Sequence, residues 1–386
     1  GRNAWRLEEF QHYYGNATFD DQVTTDAATF LLRLYVEKLD PKYKPALDRA
    51  IQFVLDSQYP IGGWPQRYPL RYEFSKHGQA DYTSYLTFND DVAWENISFL
   101  ILCYQVLGDQ RLLDAITRGM NFFLVSQQGA PNPGWALQYT LDVKPAAART
   151  YEPLALATHT TASNIEHLIT FYELTGDTKY LARVPEAIEW LERVRLPKPD
   201  ARGRTHPTFI EPGTNRALYV HRRGSNVANG RYYVDYDPRN TIGHYSATRS
   251  IDTAALKKRY EEARSIDPKN LTQRSPLAPG AELVEFPRFF AQRYAPADDA
   301  NLERAVQESL AALNEEGYWP APLKETSHPY RGPAKKQVTP GDYSTTYVGD
   351  EYDTSPFPDK SGTMSISTAE YLRNMNVQIR ALTREY

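Results

Sequence analysis

Three short passages decide how this chain is read: Lys38-Leu39-Asp40-Pro41-Lys42-Tyr43, Leu107-Gly108-Asp109-Gln110-Arg111-Leu112 and Thr175-Gly176-Asp177-Thr178-Lys179-Tyr180. In the last two, Gly can close one helix in the left-handed conformation, and in all three Asp can cap the next. Downstream of each, apolar residues recur at helical spacing: Ala46, Leu47, Ala50, Ile51, Val54 and Leu55, then Leu112, Ala115, Ile116 and Phe123, then Val184, Ile188, Leu191 and Val194. The opposite faces are polar, so each helix must pack against a neighbour. The exits repeat as well. Ser57-Gln58 precedes Gly62-Gly63-Trp64-Pro65-Gln66, and Ser126-Gln127 precedes Gly134-Trp135-Ala136-Leu137-Gln138. A weaker echo is Glu315-Glu316-Gly317-Tyr318-Trp319-Pro320, after a fourth helical pattern at Leu302, Ala305, Val306, Leu310 and Leu313. Entrances, faces and exits recurring together predict stacked helical hairpins, in a solenoid or a closed toroid.

The second half reads differently. Residues 197–250 are rich in Pro, Gly, Arg, Asn and Tyr, with short strand-like pieces at Thr208–Ile210, Ala217–His221 and Arg231–Val234. Residues 318–360 read as long surface loops, and a last helix is expected from Ser367 to Leu382. No linker divides the chain. Residues 1–386 are expected to form a single catalytic unit, with a helical core over about 20–196 and a loop- and strand-rich region over about 197–360.

Composition narrows the partners. The chain has 386 residues, long enough for a large core without staples. One cysteine, Cys103, excludes an intramolecular disulfide framework and any multi-cysteine metal site. Basic and acidic residues number 44 and 48, for a net charge of −4, which argues against nucleic acid as partner. The longest apolar run, Phe99 to Leu107, is too short to span a bilayer. The chain carries no signal peptide or lipidation motif and its first residue is not Met, as expected of a trimmed mature form. Tyr and Trp are abundant, at 28 and 6, despite a mean hydropathy of −0.61. Such rings suit stacking on sugars; they equally suit a wet, loop-rich interior where each polar tip finds a partner.

Three clusters carry candidate chemistry. Asp20-Asp21 and Asn89-Asp90-Asp91 stand at helix entrances, where Asp is also an ordinary cap. Carboxylates at such junctions can instead hold Ca²⁺, which accepts water or substrate among its oxygen ligands. Arg149, Arg202, Arg204, Arg216, Arg222, Arg223, Arg231 and Arg239 concentrate in the loop-rich part, and forked guanidinium groups bind carboxylates bidentately. Any one of them alone is an unremarkable surface arginine. Gly63-Trp64-Pro65-Gln66-Arg67-Tyr68-Pro69 follows a helix and reads either as a core Trp at a turn or as a stacking platform. Calcium, arginines and rings together suit a polyuronate.

Gly62 to Pro69, followed by Leu86-Thr87-Phe88-Asn89-Asp90, resembles the signature pair of family 10 polysaccharide lyases, which are pectate lyases. Ala148-Arg149-Thr150-Tyr151-Glu152-Pro153, Glu211-Pro212-Gly213-Thr214-Asn215-Arg216 and His221-Arg222-Arg223-Gly224 continue the likeness in order, and Asp20-Asp21-Gln22-Val23-Thr24 precedes it. The resemblance covers about residues 15–224. It implies a mainly α fold, an incomplete (α/α) toroid of about three hairpins with a loop- and strand-rich region flanking a cleft. It also implies Ca²⁺-dependent β-elimination of polygalacturonate by a secreted enzyme, expected to act as a monomer. On the same footing Asp20 and Asp90 would serve the metal and Arg149 the substrate carboxylate; from the arginine and aromatic clusters, Arg223 and Arg216 are expected to bind substrate and Trp64 and Tyr68 to stack on its rings. Arg222 would abstract the C5 proton; spacing from Arg216 alone selects it over Arg223. Thr208 stands where the family carries Arg, and the loop between Tyr68 and Leu86, with Lys76 and His77, is longer than usual.

Two other readings compete. A toroidal glycoside hydrolase would use a carboxylic acid and a carboxylate from among Asp81, Asp90 and Glu152. A non-catalytic helical-repeat scaffold would bind a glycan or protein on its concave face.

Overall fold

The helical spacing is realised as α1 (Val23–Lys38), α2 (Lys44–Ser57), α3 (Val92–Leu107), α4 (Leu112–Ser126), α5 (Thr158–Thr175) and α6 (Val184–Arg193). The computed structural model describes residues 16–38, 40–70, 82–149, 151–223, 231–239, 241, 245–273, 275–278, 281, 299–322 and 362–382. They fall into two compact units, one ending at residue 281 and one covering 299–382.

In the first unit, α1 pairs with α2, α3 with α4 and α5 with α6, while α1 packs on α3 and α4 on α5. This is the incomplete (α/α) toroid of three hairpins. The repeated entrances have one physical cause. Oδ1 of Asp40, Asp109 and Asp177 accepts from the backbone N–H two residues on, at 3.0, 3.1 and 3.0 Å. Gly108 and Gly176 both sit at φ 67° and close α3 and α5 through N–H bonds to Tyr104 and Tyr172 carbonyls. The exits share a device too. Trp64, Trp135 and Trp319 donate their indole Nε1–H to the Val54, Phe123 and Ser309 carbonyls of the preceding helix at 2.9, 2.9 and 2.8 Å. Each thus satisfies an acceptor that a helix C-terminus leaves open.

This answers the aromatic question in favour of the interior. Trp64, Trp135, Trp190, Tyr139, Tyr151 and Tyr180 are among the largest fully buried side chains. Trp190 Nε1 donates to Asn215 Oδ1 at 2.7 Å, and Tyr139 OH accepts from Ala136 N at 2.8 Å. Asn215 also accepts from Asn132 Nδ2 at 2.5 Å, so the Gly213-to-Arg216 motif anchors loops.

Short strands tie the helix entrances together. β1 (Ala17–Thr18) pairs with β2 (Arg67–Tyr68), and β3 (Leu86–Thr87) with β4 (Gln138–Tyr139), which pairs with β5 (Pro145–Ala146). β6 (Leu156–Ala157) and β7 (His206–Pro207) are followed by β8 (Phe209–Ile210), β9 (Ala217–Arg223), β10 (Arg231–Asp235) and β11 (Thr248–Arg249). One sheet runs in the order β10-β9-β8-β6, and β11 pairs with β7. β1, β3 and β6 feed α1, α3 and α5, which gathers three helix N-termini around the strand ends.

One helix is unexpected from the sequence. α7 (Thr253–Ser265) packs across α5 and α6, started by Asp252, which accepts from Ala255 N at 2.9 Å. Its apolar content is low, with Leu256 and Ala263 buried, so periodicity gives it no signal. A five-residue helix α8 (Pro268–Thr272) follows and packs on α5.

In the second unit α9 (Asp299–Ala311) packs with α10 (Thr368–Leu382), and β12 (Pro320–Pro322) pairs antiparallel with β13 (Met364–Ile366). Leu302 is buried as its pattern predicts, whereas Leu310 and Leu313 are exposed. Among the described residues no helix is long and apolar enough to cross a membrane.

Candidate active site

The site is built on two turns of the same design. Asp20–Gln22 leads into α1 and Asn89–Asp91 into α3, and Asp21 and Asp90 share φ 52°, ψ 31°. Gln22 and Asp91 also have positive φ, 63° and 55°. Left-handed backbone at residues other than Gly is costly, and its recurrence at both helix entrances marks a place where side-chain direction matters. The two turns pack against each other. They are fixed from behind by Phe19 N–H to Gln66 O and by Phe88 and Asn89 N–H to Leu137 O.

This brings the Asp20 and Asp90 carboxyls within hydrogen-bonding reach of each other, while Asp21 and Asp91 stay exposed. Two carboxylates in contact cannot both ionise freely. Burial and then Asp20 push the Asp90 carboxyl up to about 9. Burial acts the same way on Asp20, but its hydrogen bond with Asp90, the Arg149 charge and a hydrogen bond from Gln66 hold it below the ordinary range. Near neutral pH and without a cation the pair therefore shares one proton. Asn89 Nδ2 donates to Asp90 Oδ2 at 2.5 Å, and Asp20 Oδ1 is buried without a donor.

Arg149 faces this pair. Its Nη1 lies 3.4 Å from Asp20 Oδ2 and its Nη2 4.0 Å from Asp90 Oδ2. The other side of the guanidinium forms a fork with Glu152, Nε to Oε2 and Nη2 to Oε1, both at 2.8 Å. Glu152 is 1% exposed and also accepts from Arg149 N, Gln138 Nε2 and Tyr245 OH. Burial works against the Arg149 charge, but Glu152 outweighs it and keeps the guanidinium protonated. Tyr245 OH accepts from Arg149 Nη2 at 2.9 Å, and its ring packs edge-on against Tyr151. Beside the cluster lies a pocket of about 370 Å³, lined by Asp90, Asp91, His159, Tyr245 and Arg249 among others.

Of the residues singled out in the sequence, Asp20, Asp90 and Arg149 thus come together. Arg222 and Arg223 lie on β9, opposite Tyr232 and Arg231 of β10. Leu218 and Val220 of the same strand pack in the cluster against which Tyr245 lies. Arg216 is exposed and stacks over the Tyr236 ring at 3.2 Å. Trp64 corrects the expectation of a sugar platform: it is fully buried, with Nε1 spent on a helix carbonyl, and has no face to offer a ligand. Tyr68 is half-buried with its ring edge-to-face on Phe53 at 5.4 Å. Asp81, Lys76 and His77 lie outside the described residues. Thr208 is buried and donates to the Ser246 carbonyl, a structural bond that holds the segment bearing Tyr245. Tyr245 and Arg249 were not visible beforehand, since neither stands in a motif. The i, i+3 spacing of Arg149 and Glu152 was the one local signal for the fork.

The donor set fits a hard divalent cation in part. Asp20 and Asp90 supply clustered oxygens, one with no donor and one holding a displaceable proton. Among the described residues no third His, Cys, Asp or Glu joins them, so water or substrate would have to complete an oxygen shell.

Residues 3–265 match the pectic acid lyase family. Among solved structures, a family 10 polysaccharide lyase from Cellvibrio cellulosa is 20% identical, with a TM-score of 0.52 over 65% of this chain and 82% of that one. A mutant of a family 10 polysaccharide lyase from the same organism, in complex with trigalacturonic acid, is 24% identical, with a TM-score of 0.45 over 53% and 69%. A cellobiose 2-epimerase from Bacillus thermoamylovorans follows at 9% identity and a TM-score of 0.39, over 95% and 90%. No curated protein sequence matches. The family match spans the toroid and every residue of the carboxylate–arginine cluster, so the chain belongs to the pectic acid lyase family and is an enzyme of the pectate lyase class.

Proposed function

We propose that this chain cleaves polygalacturonate by Ca²⁺-dependent β-elimination, releasing 4,5-unsaturated oligogalacturonides. The observation that carries the reading is the contact of Asp20 and Asp90 beside a guanidinium whose charge Glu152 secures. Asp20 and Asp90 would hold the cation, which when bound supplies a Lewis acid for the substrate carboxylate. Arg149 pairs with that carboxylate and stabilises the charge that develops on it as the C5 proton leaves, a preorganised donor needing no reorganisation. Glu152 and Tyr245 keep the guanidinium aimed and charged. Arg222, in its neutral form, takes the C5 proton, the C5–H electron pair becomes the new C4–C5 double bond, and O4 leaves with the C4–O4 pair and takes a proton from solvent. Arg223 and Arg216 would bind carboxylates of flanking sugars, and Tyr68 would border the chain's path. Because the substrate is a polymer, the enzyme works outside the cytoplasm, as a monomer.

A paired-carboxylate hydrolase fits less well. Glu152 is locked in its fork with Arg149, and Asp20 and Asp90 touch, whereas glycosidase carboxyls stand roughly 5–9.5 Å apart. The test is an ultraviolet assay on polygalacturonate. An absorbing product that appears with Ca²⁺ and vanishes with chelator is expected; reducing ends without absorbance would favour the hydrolase. Arg222→Ala should abolish turnover while leaving trigalacturonate binding intact. If Arg222→Ala turns over normally, Arg222 is not the base.

A further inference from the structure

Arg249 is the cation that this mechanism leaves unused. It ends β11, and its backbone is held firmly, since its carbonyl accepts from Thr205 N at 3.0 Å and Thr208 N donates to Ala247 O at 2.9 Å. Its side chain lines the pocket that also contains Asp90, Asp91, His159 and Tyr245. Its Nε is buried with no hydrogen-bond partner, and among the described residues no carboxylate pairs with it. Arg149, by contrast, has Nε and Nη2 held by Glu152. Burial disfavours the protonated form of Arg249, Tyr245 works the other way, and Arg204 adds a smaller push in the same direction as burial. His159 Nδ1, in the same pocket, is a second buried polar atom without a partner. Burial and then Arg249 push its imidazole down to about 3, so it stays neutral and meets a ligand as a hydrogen-bonding group rather than a charge. Thr160, Ser163 and Ser246 add hydroxyls to the lining. Buried polar groups are nearly always satisfied, and here two residues lining one cavity each carry a buried polar atom without a partner.

We propose that this pocket is a sugar subsite in which Arg249 binds the carboxylate of a second uronate, next to the one held by Arg149, with His159 and the pocket hydroxyls meeting ring oxygens. This rests on the polygalacturonate reading and deepens it. Tyr245 is the partition: its OH touches Arg149, and its side chain lines the pocket with Arg249. A guanidinium fork recognises a free carboxylate far better than a methyl ester, which has lost both the charge and one acceptor's strength. Arg249 would therefore make the enzyme demand an unesterified sugar at this position.

The experiment compares wild type, Arg249→Gln and Arg249→Lys on polygalacturonate and on highly methyl-esterified pectin, with KM and kcat read separately. Loss of a charge-assisted pair should raise KM on polygalacturonate about tenfold or more in Arg249→Gln and change kcat little. Arg249→Lys should recover part of the loss, and KM on the esterified polymer should hardly move. Unchanged KM on polygalacturonate overturns the subsite, and so does an equal rise on both polymers. If Arg249→Gln does not fold, Arg249→Lys carries the comparison, because a retained charge without the fork should still raise KM on the acidic polymer alone. A wild type that forms no unsaturated product overturns the polygalacturonate reading and the subsite with it. An active wild type indifferent to Arg249 overturns the subsite only.

Discussion

The turns at Asp20–Gln22 and Asn89–Asp91 have nearly the same backbone, yet their acids behave oppositely. In the alignment of the two turns, Phe19 matches Phe88, Asp20 matches Asn89, and Asp21 matches Asp90. The carboxyls that meet are Asp20 and Asp90, which are not equivalent positions. Asp20 is held below its ordinary range by Asp90, Arg149 and Gln66, against the pull of burial, while Asp90 is driven up to about 9 by burial and by Asp20. The repeat supplies two rigid, left-handed entrances. Function comes from the way the repeat is broken, because identical side chains at equivalent positions would give a symmetric site with no place for an asymmetric sugar.

The strongest way to break the comparison is to remove one acid. Asp20→Ala should lower kcat/KM on polygalacturonate by about a thousandfold or more, as losses of electrostatic machinery do. It should also bring the Asp90 carboxyl down, visible by NMR titration. A retained high value would mean that burial alone raises it.

Next is the fork. Glu152→Gln leaves a buried guanidinium facing a neutral amide and should cost about 3–5 kcal/mol, the scale for breaking a buried pair. Denaturant melts would register it, and a loss under 1 kcal/mol would deny the fork its structural weight.

The third prediction concerns pH. Asp90 has a folded value above its unfolded one, so its contribution to metal-free stability is complete below about 4 and is lost as pH rises through about 9. Metal-free wild type should therefore melt progressively lower across that window. Asp90→Asn should flatten the decline while abolishing activity. Calcium should bind with release of a proton and more tightly as pH rises toward 9, measurable by calorimetry in buffers of different ionisation enthalpy.

The smallest effect should come from Asp21→Gly. Asp21 is exposed at φ 52°, and Gly there should stabilise by up to about 1 kcal/mol. Activity should be retained, since only the backbone of this residue serves the site.

Much of the architecture is legible locally. The Asp40, Asp109 and Asp177 turns, the Gly108 and Gly176 closures and the strand-like pieces near 209–210, 217–223 and 231–235 all lie where the pattern puts them. α7 escaped because few of its residues are apolar: it buries Leu256 and Ala263 and otherwise docks through polar contacts of Thr253 and Arg259. Trp64 shows the opposite failure. A Trp in a Gly- and Pro-rich passage reads equally as platform or plug, and only the distance from Nε1 to the Val54 carbonyl distinguishes them.

By itself the sequence determined the hairpin repeat, the short list of acids and arginines, and a family likeness carried by ordered motifs. Those are local properties, written in periodicity, capping residues and contiguous words. Tertiary structure decided which acid of each pair turns inward, that Tyr245 from a distant segment joins Glu152 in locking Arg149, and that Arg249 lines a pocket with its Nε unpartnered. These depend on contacts between residues 60 to 160 positions apart, where charge, burial and distance are set by packing and leave no mark on neighbouring letters.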